Sequence, residues 1–245
     1  MRAMILAAGL GTRLRPLTND RPKALVEIGG RTLLEIALSR LRTFGINEVI
    51  VNVHHFADKV VDYLTANRNF GMHVEISREE QLLDTGGGLK KASYFFLENP
   101  GREEPFILHN VDVISAIDIA RMATFHVEQG ALATMAAQDR ETSRYLLFDE
   151  KLQLHGRKSR KNSSDKSADQ FQPLAFAGIH VISPRIFEKM TEHGAFSIVD
   201  CYLRLAATGD KICGFRADEY YWRDLGRLEN VQQAERDIQD KIAIT

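Results

Sequence analysis

The sequence predicts an α/β fold in which helices flank a mixed, mainly parallel sheet. Three observations support this prediction: short apolar segments alternate with amphipathic ones over residues 1–130, the first apolar segment runs into a glycine-rich turn, and shorter strand patterns dominate after Ala131. Such alternation is typical of βαβ units, whose helices cover both faces of a parallel sheet. We expect one domain over residues 1–245, with an α/β half at 1–130 and a smaller α+β half at 131–245.

The best-marked element is a helix that begins after Thr32. Thr32 and Glu35 fit a capping box, an apolar stripe at helical spacing follows them, and Gly45 suits a left-handed stop. Strand patterns are also found at 4–8, 49–53, 74–77 and 106–110, and helical patterns at 59–66, 89–96 and 117–129. The second half is expected to hold short strands at 133–137, 145–148 and 177–182.

A polar stretch at residues 157–170 has no hydrophobic periodicity and contains Ala168 as its single apolar residue. This composition predicts a solvated loop. A substrate lid and a nucleic-acid patch are the alternatives. The second alternative is weakened because no aromatic residue is interleaved and because Asp165 and Asp169 follow the basic residues.

The composition of the chain excludes several classes of protein. Hydrophobic residues make up 44% and charged residues 27% of the 245 positions, which is ordinary for a globular protein. The net charge of −1 provides no overall field that would attract nucleic acid or an anionic membrane. The two cysteines, Cys201 and Cys213, indicate no disulfide framework, and no apolar run reaches the ~18–20 residues of a membrane span. We therefore predict a cytoplasmic protein.

The turn after the first strand is rich in glycine and suits an anion. Gly9 and Gly11 would let backbone N–H groups approach a phosphate without obstruction by side chains. A dinucleotide-binding motif would need a third glycine where this chain has Leu14, and no Gly-Lys-Ser/Thr follows at the spacing of a P-loop. An NAD-dependent oxidoreductase is therefore a weak alternative.

Positive charge is concentrated in the same turn. Arg13, Arg15, Arg21 and Lys23 lie within eleven residues, against the single acidic residue Asp20. Arginine clamps phosphate oxygens in a bidentate manner and lysine supplies a compact charge, so the mixture favours a triphosphate or pyrophosphate over a merely solvated basic loop.

Residues 6–18, followed by Pro22 and Lys23, resemble the signature L-A-A-G-x-G-T-R-L-x-P-L-T and P-K of the sugar-1-phosphate nucleotidyltransferases. Three later segments resemble the family in the expected order: residues 83–88, 110–112 (Asn-Val-Asp) and 222–226 (Trp-Arg-Asp-Leu-Gly). The resemblance implies a Rossmann-like nucleotide-diphospho-sugar transferase fold, with a nucleotide-binding half at 1–130 and a sugar-binding half at 131–245. It also implies transfer of a nucleotidyl group from an NTP to a sugar 1-phosphate, with release of pyrophosphate.

The resemblance further implies roles for individual residues. Arg13 and Lys23 would act on the reacting phosphates, Asn110 and Gly178 would contact the sugar side, and Asp112 and Asp224 would hold Mg²⁺. Nucleotide contacts are expected from Ala8, Gly9, Gly11, Thr12, Arg13, Lys23, Thr85 and Gly86. The expected partners are an NTP, with UTP favoured, and a sugar 1-phosphate, but neither nucleic acid nor a membrane; a homo-oligomer is left open.

The chain departs from the family pattern at two points. Val111 replaces the glycine of N-G-D, and the Glu-Lys pair that many members carry in the second half is not recognisable. Compact family members that lack the pair include the uridylyltransferases of N-acetylmuramate 1-phosphate, with mannose-1-phosphate guanylyltransferases as the nearest competitor. The departures also leave open a catalytically idle nucleotide-sugar sensor or regulatory subunit on the same fold.

Overall fold

A computed structural model of the protein describes residues 1–98, 103–159 and 170–239. Its strands are β1 (Ala3–Leu6), β2 (Glu27–Ile28), β3 (Arg31–Thr32), β4 (Glu48–Val53), β5 (His73–Arg78), β6 (Phe106–Asn110), β7 (Val113–Ser115), β8 (Ala133–Gln138), β9 (Arg144–Phe148), β10 (Leu154–Ser159), β11 (Gln172–Ile182), β12 (Ile212–Arg216) and β13 (Trp222–Asp224). Its α-helices are α1 (Leu33–Thr43), α2 (Ala57–Ala66), α3 (Asp84–Lys91), α4 (Ser93–Leu97), α5 (Ile119–Gln129), α6 (Ile186–Lys189), α7 (Ile198–Ala207) and α8 (Leu228–Gln239).

The predicted mixed sheet with flanking helices is confirmed. Within the described ranges, nine strands form one sheet, in which the order β10-β9-β11-β6-β1-β4-β5 is extended by β8 and β12. The pairs of β1 with β4 and with β6 are parallel, as is the pair of β4 with β5. The carboxyl ends of β1, β4 and β6 therefore lie at the same edge of the sheet, where an open α/β sheet binds its ligands.

Strand β11 joins the two halves of the chain. It runs antiparallel to β6 on one side and to β8 on the other, and its first residues pair with β9. A separate two-stranded ribbon pairs β13 with β7, so that Asp224 lies opposite Val113. These two long-range pairings bring parts of the second half against the carboxyl end of β6.

Two hydrophobic cores cover the two faces of the sheet. Within β1, Ala3 and Ile5 belong to one core and Met4 to the other, as the alternation of side chains along a strand requires. In the part of the chain that the structure describes, no helix is both long enough and apolar enough to cross a membrane.

Most predicted elements of the first half are confirmed, with shifts of one or two residues at their ends. The N-terminus of α1 is capped as expected, since the Thr32 hydroxyl accepts a hydrogen bond of 3.1 Å from the Glu35 backbone N–H. Gly45, after the end of α1, has a φ of 73°, which the left-handed stop requires.

Three boundaries differ from the prediction, and the last is that of β11, which begins at Gln172 and not at Ala177. Residues 157–159 of the expected loop belong to β10, which pairs with β9, while residues 160–169 lie outside the described residues together with the proposed lid. The second difference concerns α3, which begins at Asp84 and not near Leu89, so that Gly86, Gly87 and Gly88 are helical. Their low intrinsic helix propensity is outweighed by the close packing described below.

Candidate active site

A cleft of about 530 Å³ opens at the carboxyl ends of β1 and β6. Its wall consists of the whole turn 6–14, Lys23, residues 110–112 and the first residues of α3, and Gly226 closes one side. The predicted nucleotide contacts Ala8, Gly9, Gly11, Thr12, Arg13, Lys23 and Thr85 all line this cleft, as do Asn110 and Asp112. Gly86, Gly178 and Asp224 lie outside its lining.

The two glycines of the turn, Gly9 and Gly11, are favoured for different structural reasons. Gly11 adopts a φ of 65°, and a Cβ there would lie 3.0 Å from Thr18 Cγ2 and 3.2 Å from Lys23 Cβ. The Thr18 hydroxyl donates a 2.8 Å hydrogen bond to the Gly11 carbonyl and fixes the turn. Apart from its chain neighbours, a Cβ on Gly9 would meet no atom of the described residues within 4 Å. Gly9 therefore leaves its backbone open to a ligand, while Gly11 allows the chain to fold back onto Lys23.

Arg13 and Asp224 both lie beside Gly226. A Cβ on Gly226 would lie 3.0 Å from Arg13 Nη2 and 2.8 Å from Asp224 Oδ1. A side chain at this position would displace one or both of the charged groups. The Gly226 N–H donates a 2.6 Å hydrogen bond to Asp224 Oδ1, which orients that carboxylate. The first and last segments of the predicted site are thus in direct contact.

Lys23 and Asp112 form the most enclosed charged pair of the cleft. The Lys23 ammonium donates a hydrogen bond to Asp112 Oδ2, and Lys23 as a whole is only 8% exposed. It follows Pro22 at the start of a short 3₁₀-helix, 23–25, whose backbone holds the side chain in place. Because the pair is largely removed from water, each charge acts more strongly on a neighbouring phosphate than it would at the surface.

The backbone brings the two predicted metal ligands to the same place. Asp112 precedes β7, Asp224 ends β13, and the two strands pair side by side. The Leu225 N–H donates a 2.8 Å hydrogen bond to the Asp112 carbonyl, and the Asn230 amide donates one of 2.7 Å to the Asp224 carbonyl. Among the described residues, no cluster of three His, Cys, Asp or Glu side chains could hold a metal. Two carboxylates fit a hard cation that keeps water and phosphate oxygens as its other ligands.

Asn110 and Gly178, the predicted sugar-side residues, touch each other. Gly178 has a φ of 78°, and a Cβ on it would lie 2.6 Å from Val113 Cγ2 and 3.1 Å from Asn110 Nδ2. Gly178 therefore supports Asn110 from behind. Buried His109 donates a 2.8 Å hydrogen bond from Nδ1 to the Asn110 carbonyl, and burial lowers the pKa of His109 to about 4, so its ring is neutral at pH 7.

The segment expected to hold the base is the first part of helix α3. Thr85 lines the cleft, and its hydroxyl accepts a 3.0 Å hydrogen bond from the Ile198 N–H. Gly86 is packed against Phe196: its N–H donates to the Phe196 carbonyl at 2.8 Å, and a Cβ would lie 2.4 Å from Phe196 Cε2. A base contact from Gly86 stays a prediction. Close packing is a sufficient reason for glycine at this position.

A buried polar pair in the wall of the cleft, Asn52 and Glu79, was not predicted from the sequence. Asn52 accepts a 2.7 Å hydrogen bond from the Ala7 N–H and donates one of 2.7 Å to Glu79 Oε1. Glu79 Oε2 in turn accepts from the Leu83 N–H at 2.9 Å. This chain of bonds fixes the start of the glycine-rich turn relative to the start of α3. The available signal was Asn52 itself, a polar residue within the otherwise apolar run 49–53 of strand β4.

Comparison with known proteins agrees with this geometry. A family model described as nucleotidyl transferase matches residues 2–241. The chain is 37% identical over 238 residues to the N-acetylmuramate alpha-1-phosphate uridylyltransferase of Caulobacter vibrioides, covering 91% of both chains. It is 26% identical to the UTP–glucose-1-phosphate uridylyltransferase of a Synechocystis strain, covering 97% of this chain and 63% of that one.

A crystal structure of HddC from Yersinia pseudotuberculosis, complexed with GMP-PN, has the same fold. It superposes with a TM-score of 0.77 at 23% identity and covers 97% of this chain and 99% of that one. Members of the matched family generally use divalent metal ions, which suits the carboxylates of the cleft. From the match over nearly the whole length, we conclude that the chain belongs to the nucleotidyl transferase family and is a sugar-1-phosphate nucleotidyltransferase.

Proposed function

We propose that the enzyme transfers a uridylyl group from UTP to N-acetylmuramate 1-phosphate and releases pyrophosphate. The observation that carries the chemistry is the convergence of Arg13, Lys23 and Asp112 on one cleft beside an open glycine turn. UTP and the acidic sugar are supported by the Caulobacter relative and its printed activity. A role as an idle sensor is disfavoured because Arg13, Lys23, Asp112 and Asp224, the charged residues that the proposed chemistry uses, are all present.

The reaction needs positioning and neutralisation of charge more than covalent help from the protein. An oxygen of the sugar 1-phosphate forms a bond to the α-phosphorus of the NTP, while the bond from that phosphorus to the bridging oxygen breaks. Pyrophosphate leaves with the electron pair. In our proposal the backbone around Gly9 and Gly11 binds the triphosphate, and Arg13 stabilises the departing pyrophosphate.

In this proposal Lys23 stabilises the negative charge that develops on the α-phosphoryl group. It is held by Asp112 and is therefore already ordered when substrates arrive. An ordered cation needs little reorganisation free energy when negative charge develops on the α-phosphoryl oxygens. Such preorganisation is the general origin of electrostatic catalysis. We expect Lys23 to bind these oxygens.

We propose Mg²⁺ as the divalent ion, with Asp112 and Asp224 as its protein ligands. Their oxygen donors and their number suit Mg²⁺, which is commonly bound by one or two carboxylates together with substrate phosphates. When bound, such an ion neutralises phosphate charge and orients the reacting oxygens.

The remaining proposals assign the nucleotide and the sugar to the two sides of the cleft. We propose that residues 1–130 bind the nucleotide, with Thr85 and Gly86 near the base, and that residues 131–245 with Asn110 and Gly178 form the sugar side. We also propose a cytoplasmic location, which the two free, buried cysteines favour.

The test is release of pyrophosphate across a matrix of four NTPs and the 1-phosphates of N-acetylmuramate, N-acetylglucosamine, glucose and mannose. We expect the highest kcat/KM for UTP with N-acetylmuramate 1-phosphate. A preference for GTP with mannose 1-phosphate would replace the proposed substrates by those of the competing subfamily. Binding of NTP without turnover on any sugar would favour the sensor.

A further inference from the structure

Arg140 is a half-buried cation that the chemistry described above does not use. Its guanidinium carbon lies 3.6 Å from the centroid of the Trp222 ring, which is the distance of a close cation–π stack. Its Nη2 donates a 2.7 Å hydrogen bond to the Phe176 carbonyl. The stack and the hydrogen bond together fix both the plane and the direction of the guanidinium.

The hydrogen bonding of this side chain is incomplete. Within the described residues, Arg140 Nε is buried and has no hydrogen-bond partner. Burial lowers the pKa of Arg140, while the charges of Asp224 and Tyr145 raise it. The guanidinium nevertheless stays charged, because arginine is not deprotonated in proteins. Arg140 is therefore an ordered, partly dehydrated cation whose buried Nε–H has no partner, and donation to a ligand falls to its terminal Nη groups.

Arg140 lies where the sugar side meets the strand of Asp224. Trp222, on which it stacks, is two residues before Asp224, and the Trp222 indole donates a 2.7 Å hydrogen bond to the Ala177 carbonyl. The carbonyls of residues 176 and 177 thus hold Arg140 and Trp222 immediately before Gly178, which in turn packs against Asn110. Neighbouring contacts link the guanidinium to the predicted sugar side.

We propose that Arg140 binds an anionic group of the sugar substrate and so contributes to the selection of that substrate. This inference rests on the proposed function, because it concerns the second substrate of the same reaction. The group is either the 1-phosphate or the carboxylate of an acidic sugar, both of which match the planar fork of a guanidinium. The stack on Trp222 holds that fork ready before the substrate binds.

The test compares Arg140→Met and Arg140→Lys with the control Arg121→Met. Arg121 is an exposed arginine that also lies over an aromatic ring, that of Phe215, at 5.9 Å. Steady-state kinetics are measured with N-acetylmuramate 1-phosphate and with N-acetylglucosamine 1-phosphate. We expect the KM for the sugar phosphate to rise about 10- to 100-fold in Arg140→Met, while the KM for UTP changes less than about 2-fold.

The two sugars identify the anion that Arg140 binds. A rise in KM for both substrates assigns Arg140 to the 1-phosphate, and a rise for the acidic sugar alone assigns it to the carboxylate. Arg140→Lys keeps the charge but loses the fork, and we expect about a 3- to 10-fold increase in KM. If Arg140→Met does not fold, Arg140→Lys carries the same comparison.

A second measurement does not depend on turnover. Trp222 is the only tryptophan of the chain, so its fluorescence reports directly on the ring that Arg140 covers. Titration of N-acetylmuramate 1-phosphate is expected to shift the emission of the wild type at concentrations about 3- to 10-fold lower than those needed in Arg140→Lys.

Unchanged KM values for both sugar phosphates in folded Arg140 variants, together with an unchanged midpoint in the fluorescence titration, would overturn the inference and leave Arg140 as a clamp between strands. If the wild type turns over no sugar phosphate at all, the proposed function fails. The fluorescence titration still decides whether Arg140 binds the anion in that case.

Discussion

The two sides of the cleft are built in different ways. On the proposed nucleotide side, one continuous segment, residues 6–23, supplies the glycine turn, Arg13 and Lys23. On the proposed sugar side, Asn110, Gly178 and Arg140 come from β6, from β11 and from the residues after β8, and strand pairing and packing bring them into the same region. A site made from one segment leaves a motif in the sequence, whereas a site assembled from distant strands does not.

The strongest test of this comparison is Lys23→Met. The substitution removes an ordered cation from the nucleotide side and leaves Asp112 without its partner, so we expect kcat to fall about 10²- to 10³-fold. The control is Lys189→Met, an exposed lysine that pairs with Asp210 at 2.9 Å, away from the cleft. Circular dichroism verifies folding. A kcat within about 3-fold of wild type would show that the continuous segment does not hold the catalytic charge.

Gly178→Ala tests the assembled side. A Cβ would lie 2.6 Å from Val113 Cγ2 in a backbone with a φ of 78°, so we expect a loss of unfolding free energy of about 3 kcal/mol. Gly30→Ala is the matched control, because Gly30 has a φ of 77° with no atom within 4 Å of the Cβ position, and it should lose only about 1 kcal/mol. Urea unfolding measures both. Equal losses would mean that backbone strain, and not contact with Val113, makes glycine necessary.

The strand pairing that joins the two sides is expected to be sensitive to acid. Burial lowers the pKa of His180, on β11, to about 3, with a smaller contribution from His109 on β6. Between that value and the ordinary pKa of ~6.5, the unfolded chain binds more protons than the folded one, so stability falls as the pH decreases from about 6.5.

His180→Phe removes this titration and should reduce the loss of stability between pH 7 and pH 5 by about 2 kcal/mol. The change of the unfolding free energy with pH is the proper measure, and not its value at one pH. The substitution also removes the 3.2 Å hydrogen bond between His180 and the Tyr202 hydroxyl at every pH. His73→Gln, at an exposed position, serves as the control. An identical slope in His180→Phe and wild type would contradict the prediction.

Local signals in the sequence predicted the fold well. The cap at Thr32, the stop at Gly45 and strand Phe106–Asn110 depend on residues close together in the chain, and all were confirmed. The start of α3 was placed wrongly because three glycines disfavour a helix locally, while their contacts with residues 194–196 and with Asn52 are long-range. Local propensity was overruled there by tertiary packing.

For the candidate site, too, local motifs were predicted from the sequence and long-range contacts were not. The lining of the cleft by Arg13, Lys23 and Asp112 agrees with the motif that contains them. The Asn52–Glu79 pair and the contacts of Arg140 with Phe176 and Trp222 were missed because these residues are 27 to 82 positions apart, and no short pattern marks such pairs.

The contact between α3 and Phe196 has a further consequence for how the two substrates affect each other's affinity. The N–H groups of Gly86 and Gly87 both donate to the Phe196 carbonyl, and Thr85 accepts from Ile198 at the start of α7. If a bound nucleotide displaces the start of α3, these hydrogen bonds transmit the displacement to the start of α7, which belongs to the other half. Linkage then makes the effect reciprocal: the factor by which the nucleotide changes the Kd of the sugar phosphate equals the factor by which the sugar phosphate changes that of the nucleotide. The hydrogen bonds at Phe196 would thus couple the two halves of the chain.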